Sequence, residues 1–207
     1  MTEPETAAVG RERFESAYAG SAPWDIGKAQ PVFVAVADKI RGTILDVGCG
    51  PGENALFFAA RGHQVTGLDF LEAPVAIAKQ KAAERKLSVT FVVGDALRLG
   101  EWSERFDNAI DSGLFHVFSN EGRAQYEKSL KTILRPGGKL FLLCFSEHTP
   151  GNVGPRRVTE GELRAAFREG WQIESIEPAS FEVCDDAKVR FGGENPKAWF
   201  LIARRTA

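Results

Sequence analysis

Cysteine and histidine are too few and too scattered to build a metal centre. Cys49, Cys144 and Cys184 are odd in number and far apart, form no Cys-x-x-Cys pair, and stand at no zinc spacing from His63, His116 or His148. Cys144, inside a strongly apolar run, reads as a small core residue. An excess of one charge is lacking too: 26 Lys and Arg against 28 Asp and Glu leave a net charge of −2 without a long basic block, which argues against a nucleic-acid partner. No apolar run approaches the ~18 residues needed to span a bilayer. Met1–Arg13 is polar and acidic without a hydrophobic core, so no membrane partner and a cytoplasmic location are expected. What remains is a packed globular composition, 43% hydrophobic and 26% charged, in a chain of 207 residues that can bury a core without disulfide or structural metal.

Along the chain, apolar segments alternate between two periods. Thr43–Val47, Gln64–Asp69, Ser88–Val93, Asn108–Asp111 and Lys139–Phe145 read as short strands, apolar enough for a sheet buried on both faces. Helical patterns lie between them at Glu53–Arg61, Ala73–Arg85 and Gly122–Arg135, with Gly62 closing the first and Pro136-Gly137-Gly138 stopping the last. Such alternation means βαβ units and a parallel sheet. Thr159 and Glu162 form a capping box that opens a helix to about Arg168. Gln172–Glu177 and Ala198–Ala203 then read as a hairpin at one sheet edge, separated by the polar, Gly-rich Asp185–Pro196. Upstream, Glu5–Ala19 reads as a helix, and Pro31 sits at the first position of another. No repeat, low-complexity tract or linker argues for a second domain.

Leu45–Asn54 is an apolar strand running into glycines at 48, 50 and 52 and then a helix. Glycines there let the backbone turn sharply and approach a ligand that a Cβ would block. The helix N-terminus offers unpaired N–H groups, at the sheet end where open α/β sheets bind ligands. Asp69, closing the next strand, can accept from both hydroxyls of a ribose, or merely cap the following helix. Asp95, after the third strand, suits an adenine amino group, with Ala96 offering a backbone N–H; a plain turn residue is the alternative.

The third glycine of a dinucleotide fingerprint, counted from Gly48, falls on Glu53, which is neither small nor apolar. Asp46 brings negative charge to the loop, a poor neighbour for pyrophosphate and a good one for an ammonium or sulfonium. The ligand implied has ribose, adenine and positive charge; S-adenosylmethionine fits. A nucleotide-dependent oxidoreductase and a non-catalytic cofactor-binding relative remain as alternatives.

LDVGCGPGEN at 45–54 resembles motif I of class I methyltransferases, and GLDF at Gly67–Phe70 the acidic second motif. VGDAL at Val93–Leu97, FDNAIDSGLFHVF at Phe106–Phe118 and LRPGGKLFLL at Leu134–Leu143 are similar to the later motifs, in the family order. The resemblance implies an α/β, Rossmann-like three-layer sandwich: a mostly parallel seven-stranded sheet with an antiparallel last strand. It also implies one domain over 1–207, with N-terminal helices and a lid in 1–40 and the cofactor-binding sheet with substrate loops in 41–207. By position, Asp46 and the Gly48–Gly52 backbone would hold the methionine end and Asp69 the ribose, with Cys49, Asn54 and Phe70 in the same cofactor-binding set. Asp95 and Ala96 take the adenine, and Ser112 approaches the methyl-donor end. Pro23-Trp24-Asp25-Ile26-Gly27 with Gln30-Pro31 is similar to the segment ahead of motif I in small-molecule methyltransferases, the thiol, thiopurine, quinone and quinolone enzymes among them. There Trp24 is expected to pack on the cofactor, or simply to anchor the segment.

The Asn/Asp-Pro-Pro-aromatic run of amino-methylating DNA enzymes is absent: the chain reads Asp111-Ser112-Gly113-Leu114-Phe115. Phe14, Tyr18, Trp24, Phe115 and Phe118 are candidate pocket walls, Phe118 being the most core-like. Phe14, Tyr18, Phe115 and His116 are the expected acceptor-binding set. His116 is the expected catalytic residue, a base or hydrogen-bond partner for a heteroaromatic hydroxyl or ring nitrogen, with a thiol acceptor as the alternative. A structural histidine capping that loop is the other reading. Arg156 and Arg157 are expected to orient an anionic acceptor or to form a solvated charge pair.

Overall fold

The structure is a computed structural model that describes residues 11, 12, 14–18, 20, 22–151 and 153–206. Seven strands form one sheet: β1 (Ile44–Val47), β2 (Val65–Asp69), β3 (Thr90–Val93), β4 (Phe106–Ser112), β5 (Leu134–Phe145), β6 (Trp171–Ser180) and β7 (Lys197–Arg205). Their spatial order is β3-β2-β1-β4-β5-β7-β6, and β7 runs antiparallel to both β5 and β6. The expected hairpin is therefore present, with β6 at the edge and β7 inserted beside β5.

The helices are α1 (Pro31–Val36), α2 (Glu53–Ala60), α3 (Glu72–Glu84), α4 (Asn120–Ile133), α5 (Glu160–Ala166) and the short α6 (Asp185–Lys188). Pro31 stands at the start of α1, where its missing N–H costs nothing. Gly62, just past α2, takes a φ of +87°. Both halves of the Thr159–Glu162 capping box form at the head of α5, with Glu162 N–H on the Thr159 hydroxyl at 3.1 Å and Thr159 N–H on the Glu162 carboxylate at 2.8 Å. Of the expected helix Glu5–Ala19, positions 11, 12 and 14–18 are helical; 5–10, 13 and 19 lie outside the described residues.

Each inner strand sends alternate side chains to two apolar layers, as a period of two requires. On β5, Phe141, Leu143 and Phe145 enter one layer with Phe33, Phe58 and Phe91, while Leu140, Leu142 and Cys144 enter the other with Phe115, Tyr126 and Phe167. Cys144 is fully buried, as its apolar surroundings suggest.

Strand ends shift by a few residues throughout, and the start of β5 differs most from the sequence reading. Helix α4 stops at Ile133, and Leu134 already pairs with Phe106, so Pro136-Gly137-Gly138 belongs to β5. The pairing then jumps from Phe106↔Leu134 to Asn108↔Lys139, which makes this a bulge. A Cβ on Gly138 would stand 2.9 Å from the Arg135 carbonyl oxygen, so the bulge closes too tightly for a side chain there.

Candidate active site

From β1 the chain adds β2 and β3 on one side and β4 and β5 on the other, so the strand order switches direction between β1 and β4. The crevice at their carboxyl ends carries the glycine loop on one wall and Ser112–Leu114 on the other. Gly52 has φ +84°, and a Cβ there would lie 2.9 Å from both the Ala78 Cβ and the Phe91 ring. Glycine is thus required twice over, by backbone conformation and by close packing of α2, α3 and β3. From β1, the Asp46 carboxylate accepts the Ala55 N–H at 3.0 Å and so pins the first turn of α2. Its other oxygen is buried with no partner among the described residues. Burial pushes the Asp46 carboxyl up to about 8, against the lowering effect of the Ala55 bond; Asp111 and Asp69 nearby raise it further.

Asp69 faces the crevice and ties the turn ahead of α3, whose N-cap is Leu71 without a side-chain cap, so the expected helix cap is not formed. One oxygen accepts the Gly50 N–H at 2.9 Å and the other the Leu71 N–H at 3.1 Å, so the residue staples the glycine loop to the end of β2. It also lines the cavity, and burial raises its carboxyl above the usual range. Asp95 is exposed and accepts the Leu97 N–H at 2.8 Å, capping the 3-10 turn Ala96–Glu101. Neither Asp95 nor Ala96 is on the cavity wall, but β3 ends beside Asp69, through the pair Asp69↔Val93.

The segment ahead of β1 closes over this loop. Trp24 Nε1–H donates to the Tyr18 hydroxyl at 3.0 Å, and Phe14 stacks edge-on against both Trp24 and Phe70. A Cβ on Gly50 would lie 2.8 Å from that same hydroxyl. Phe14 and Tyr18, expected as acceptor walls, are therefore placed against Gly50 and Phe70 at the glycine-loop end. Gln30 explains the Gln-Pro pair: its buried amide exchanges two hydrogen bonds with the Glu182 backbone, at 2.8 and 2.9 Å, while its own N–H donates to Asn54 Oδ1. Together with the bond from Cys184 N–H to the Pro23 carbonyl, this anchors the N-terminal segment to the chain after β6.

The resulting cavity has a volume of about 550 Å³. Trp24, Gly48, Cys49, Gly50, Asn54, Asp69, Phe70 and Ser112 all line it. Its far end is walled by Phe145, Phe181 and Phe191, with Val117, Val183 and the 153–156 loop around them. Sequence reasoning missed these residues. Phe145 counted only as the end of a strand, and Phe191 lies in a stretch read as polar.

Two expectations at this end are corrected. Phe115 is no pocket wall: it is 0% exposed in the opposite layer, against Phe167 and beneath the Arg123 guanidinium. His116 does line the cavity, but the Phe145 backbone N–H donates to its Nδ1 at 3.0 Å. Nδ1 must therefore keep its lone pair, so the ring proton sits on Nε2. Burial, reinforced by Arg123 and Arg157, pushes the imidazole down to about 3. A second proton would have to enter Nδ1 against the Phe145 N–H, so of the roles expected of His116 this geometry suits the hydrogen-bond partner, through Nε2–H, and disfavours the base.

Arg156 pairs with Glu162 and Asn120. Arg157 lies over the Phe145 ring and donates to the carbonyls of Thr149, Pro150, Gly151, Val153 and Pro155. One planar fork thus shapes the loop that carries Val153, Gly154 and Pro155 to the cavity, a task a lysine point charge cannot repeat. Arg157→Lys is expected to raise the KM for the acceptor about tenfold and leave the affinity for S-adenosylhomocysteine within about twofold. Steady-state kinetics beside calorimetry checks this; an unchanged acceptor KM would make the clasp irrelevant to binding.

A family model described as a methyltransferase domain matches residues 44–138. The chain is 37% identical over 182 residues to the 2-heptyl-1-hydroxyquinolin-4(1H)-one methyltransferase of Mycobacteroides abscessus, covering 82% of this chain and 80% of that protein. A solved structure concerned with conversion of a disulfide bond into a thioacetal group during echinomycin biosynthesis matches with TM-score 0.81 and 35% identity, over 94% of this chain and 92% of that one. The 1,6-didemethyltoxoflavin-N1-methyltransferase of Burkholderia thailandensis, solved with bound 1,6-didemethyltoxoflavin and S-adenosylhomocysteine, shares the fold at TM-score 0.75 and 24% identity, over 100% of this chain and 92% of that one. With the glycine loop, the carboxylate staple and the strand order, these likenesses show that the chain belongs to the class I S-adenosylmethionine-dependent methyltransferases.

Proposed function

We propose that the chain methylates a small, flat heteroaromatic acceptor at a hydroxyl or ring nitrogen. The observation that carries this reading is the continuity of the cavity from the glycine loop into an end walled by Phe145, Phe181 and Phe191, where ring stacking suits a planar apolar molecule. The residues present fit the cofactor: a glycine loop too tight for side chains, a carboxylate on the cavity wall for the ribose, and a second carboxylate with a free buried oxygen beneath the loop. When bound, S-adenosylmethionine supplies a methyl group already activated by its sulfonium. The chain's own task is then to hold the acceptor atom in line and exclude water. Ser112, at the end of β4 and on the cavity wall, approaches the methyl-donor end. Trp24 and Tyr18 cover the glycine-loop end, Asp69 takes the ribose, and Asp95 with Ala96 takes the adenine.

The M. abscessus relative, named for a hydroxyquinolone, supports an oxygen acceptor. The likeness to the structure concerned with thioacetal formation favours a second reading, in which the acceptor atom is sulfur. A panel of hydroxyquinolines, azines and aryl thiols, assayed for S-adenosylhomocysteine release, separates them. Turnover confined to thiols would overturn the heteroaromatic hydroxyl or nitrogen reading.

A further inference from the structure

We infer that the acceptor enters this site as an anion formed in solution, and that His116 Nε2–H receives that anion as a hydrogen-bond donor while no group of the chain removes its proton. The inference rests on the acceptor reading above and deepens it. Its ground is geometric. The Phe145 N–H occupies Nδ1 at 3.0 Å, leaving Nε2–H as the free polar atom of a ring that lines the cavity between Gly113, Phe145 and Phe181.

The surrounding charges point the same way. Arg156 and Arg190 line the cavity, and the charges of Arg123 and Arg157 both disfavour a proton on the His116 ring. Among the described residues the carboxylates on the cavity wall are Asp25, Glu53 and Asp69, all at the glycine-loop end. Glu53 is engaged by Lys81 and Arg85, and Asp69 by two backbone N–H groups. On the elements packed around His116, Glu162 pairs with Arg123 and Arg156, Glu182 with Lys28, and Glu147 accepts from Trp199. Asp111, in the turn before His116, accepts from the Leu114 and Phe115 N–H groups and the Tyr126 hydroxyl and is off the cavity wall. Among the described residues the acceptor end thus has an excess of positive charge and no unengaged carboxylate on its wall, an environment that stabilises an oxyanion or thiolate and cannot create one.

The reaction balances without a proton acceptor. A lone pair of the anionic oxygen forms the new O–C bond as the C–S bond breaks, and the electron pair of that bond stays on sulfur. The anion and the sulfonium charge cancel, and nothing has to leave the site except two neutral groups.

The test uses one ring scaffold bearing hydroxyls or thiols whose acidities span the assay range. The kcat/KM of the full chain should rise with pH and level off at each acceptor's own pKa, so the break moves with the acceptor. His116→Phe should lower kcat/KM for an ionised acceptor about ten- to hundredfold, the loss of one hydrogen bond to a charged group, with the break unmoved. A second readout needs no turnover: bound beside S-adenosylhomocysteine, a chromophoric acceptor should ionise at least about one pH unit lower than free in solution, by its absorption spectrum. His116→Phe should undo part of that shift, and retained S-adenosylhomocysteine affinity shows that the variant is folded. A break fixed at one pH for all acceptors, or one that vanishes in His116→Phe, would overturn the inference in favour of an enzyme base. Methylation of thiols alone, with breaks that follow their acidities, would sink the hydroxyl reading and leave this one standing. An acceptor bound in its neutral form would sink this one alone.

Discussion

Asp69→Ala is expected to weaken S-adenosylmethionine binding by ten- to hundredfold or more. The carboxylate has lone pairs left after its bonds from Gly50 N–H and Leu71 N–H, and it faces the cavity where a ribose would sit. Each charge-assisted hydrogen bond to a ribose hydroxyl is worth about 1.5–3 kcal/mol. The same substitution leaves two backbone N–H groups unpaired, so the melting temperature should fall as well. That complicates the reading, because a loosened glycine loop also binds poorly. A 2′-deoxy analogue of the cofactor separates the two causes. If Asp69 grips the hydroxyl, removing that hydroxyl costs the wild type about tenfold and costs Asp69→Ala almost nothing, a coupling that a double-mutant cycle reads directly. Equal losses in both proteins would reduce Asp69 to a staple of the loop.

That dual role illustrates what a sequence can and cannot show. The strand–glycine–helix order and the acid closing β2 were legible because each is a local pattern with a physical cause: strand period, positive φ and helix start. The cofactor half of the cavity comes from those local patterns, so it could be read. The far end, where the acceptor is proposed to sit, is assembled from β5, residues 153–156 and the chain after β6, with β7 inserted between β5 and β6. No local period announces that Phe181 will stand 5.2 Å from Phe145, or that Phe191 will close on the same ring. Phe115 was misassigned for a related reason. It adjoins His116 in sequence, yet the 3-10 turn Phe115–Val117 sends the two side chains into opposite layers.

His116 shows a subtler limit. Its place after β4 marked it as a site residue, but its protonation depends on a backbone N–H 29 positions away. A histidine's residue type allows it to be base, acid or donor; the partner of the other nitrogen decides which. Gln30 is the converse case. Its pairing with Pro31 matched a family segment, but the reason for a glutamine, two bonds to the Glu182 backbone, appears only in three dimensions.

Asp46 should make cofactor binding release protons. Its carboxyl is pushed up to about 8 and that of Asp111 to about 7, so at pH 7 both are protonated in part. A folded-state pKa raised above the unfolded value of about 3.9 means stability that is complete below pH ~4 and lost as pH rises through about 8. Asp46→Asn mimics the protonated form at every pH. The wild type should therefore lose stability relative to Asp46→Asn between pH 5 and 9, by thermal melts of the ligand-free chain. A ligand cation bound above the loop reverses the preference, favouring the ionised carboxylate by on the order of 2 kcal/mol at the effective dielectric of a protein site. Affinity should then climb from pH 6 to 8, and Asp46→Asn should weaken binding about thirtyfold at pH 8.5 and little at pH 6. Calorimetry at pH 7 in buffers of different ionisation enthalpy should show a fraction of a proton released by the wild type and much less by the variant. Release with both S-adenosylmethionine and S-adenosylhomocysteine assigns the effect to the ammonium, and release with the former alone to the sulfonium. No buffer dependence with either ligand would mean that Asp46 serves α2 and the glycine loop but does not sense the ligand's charge.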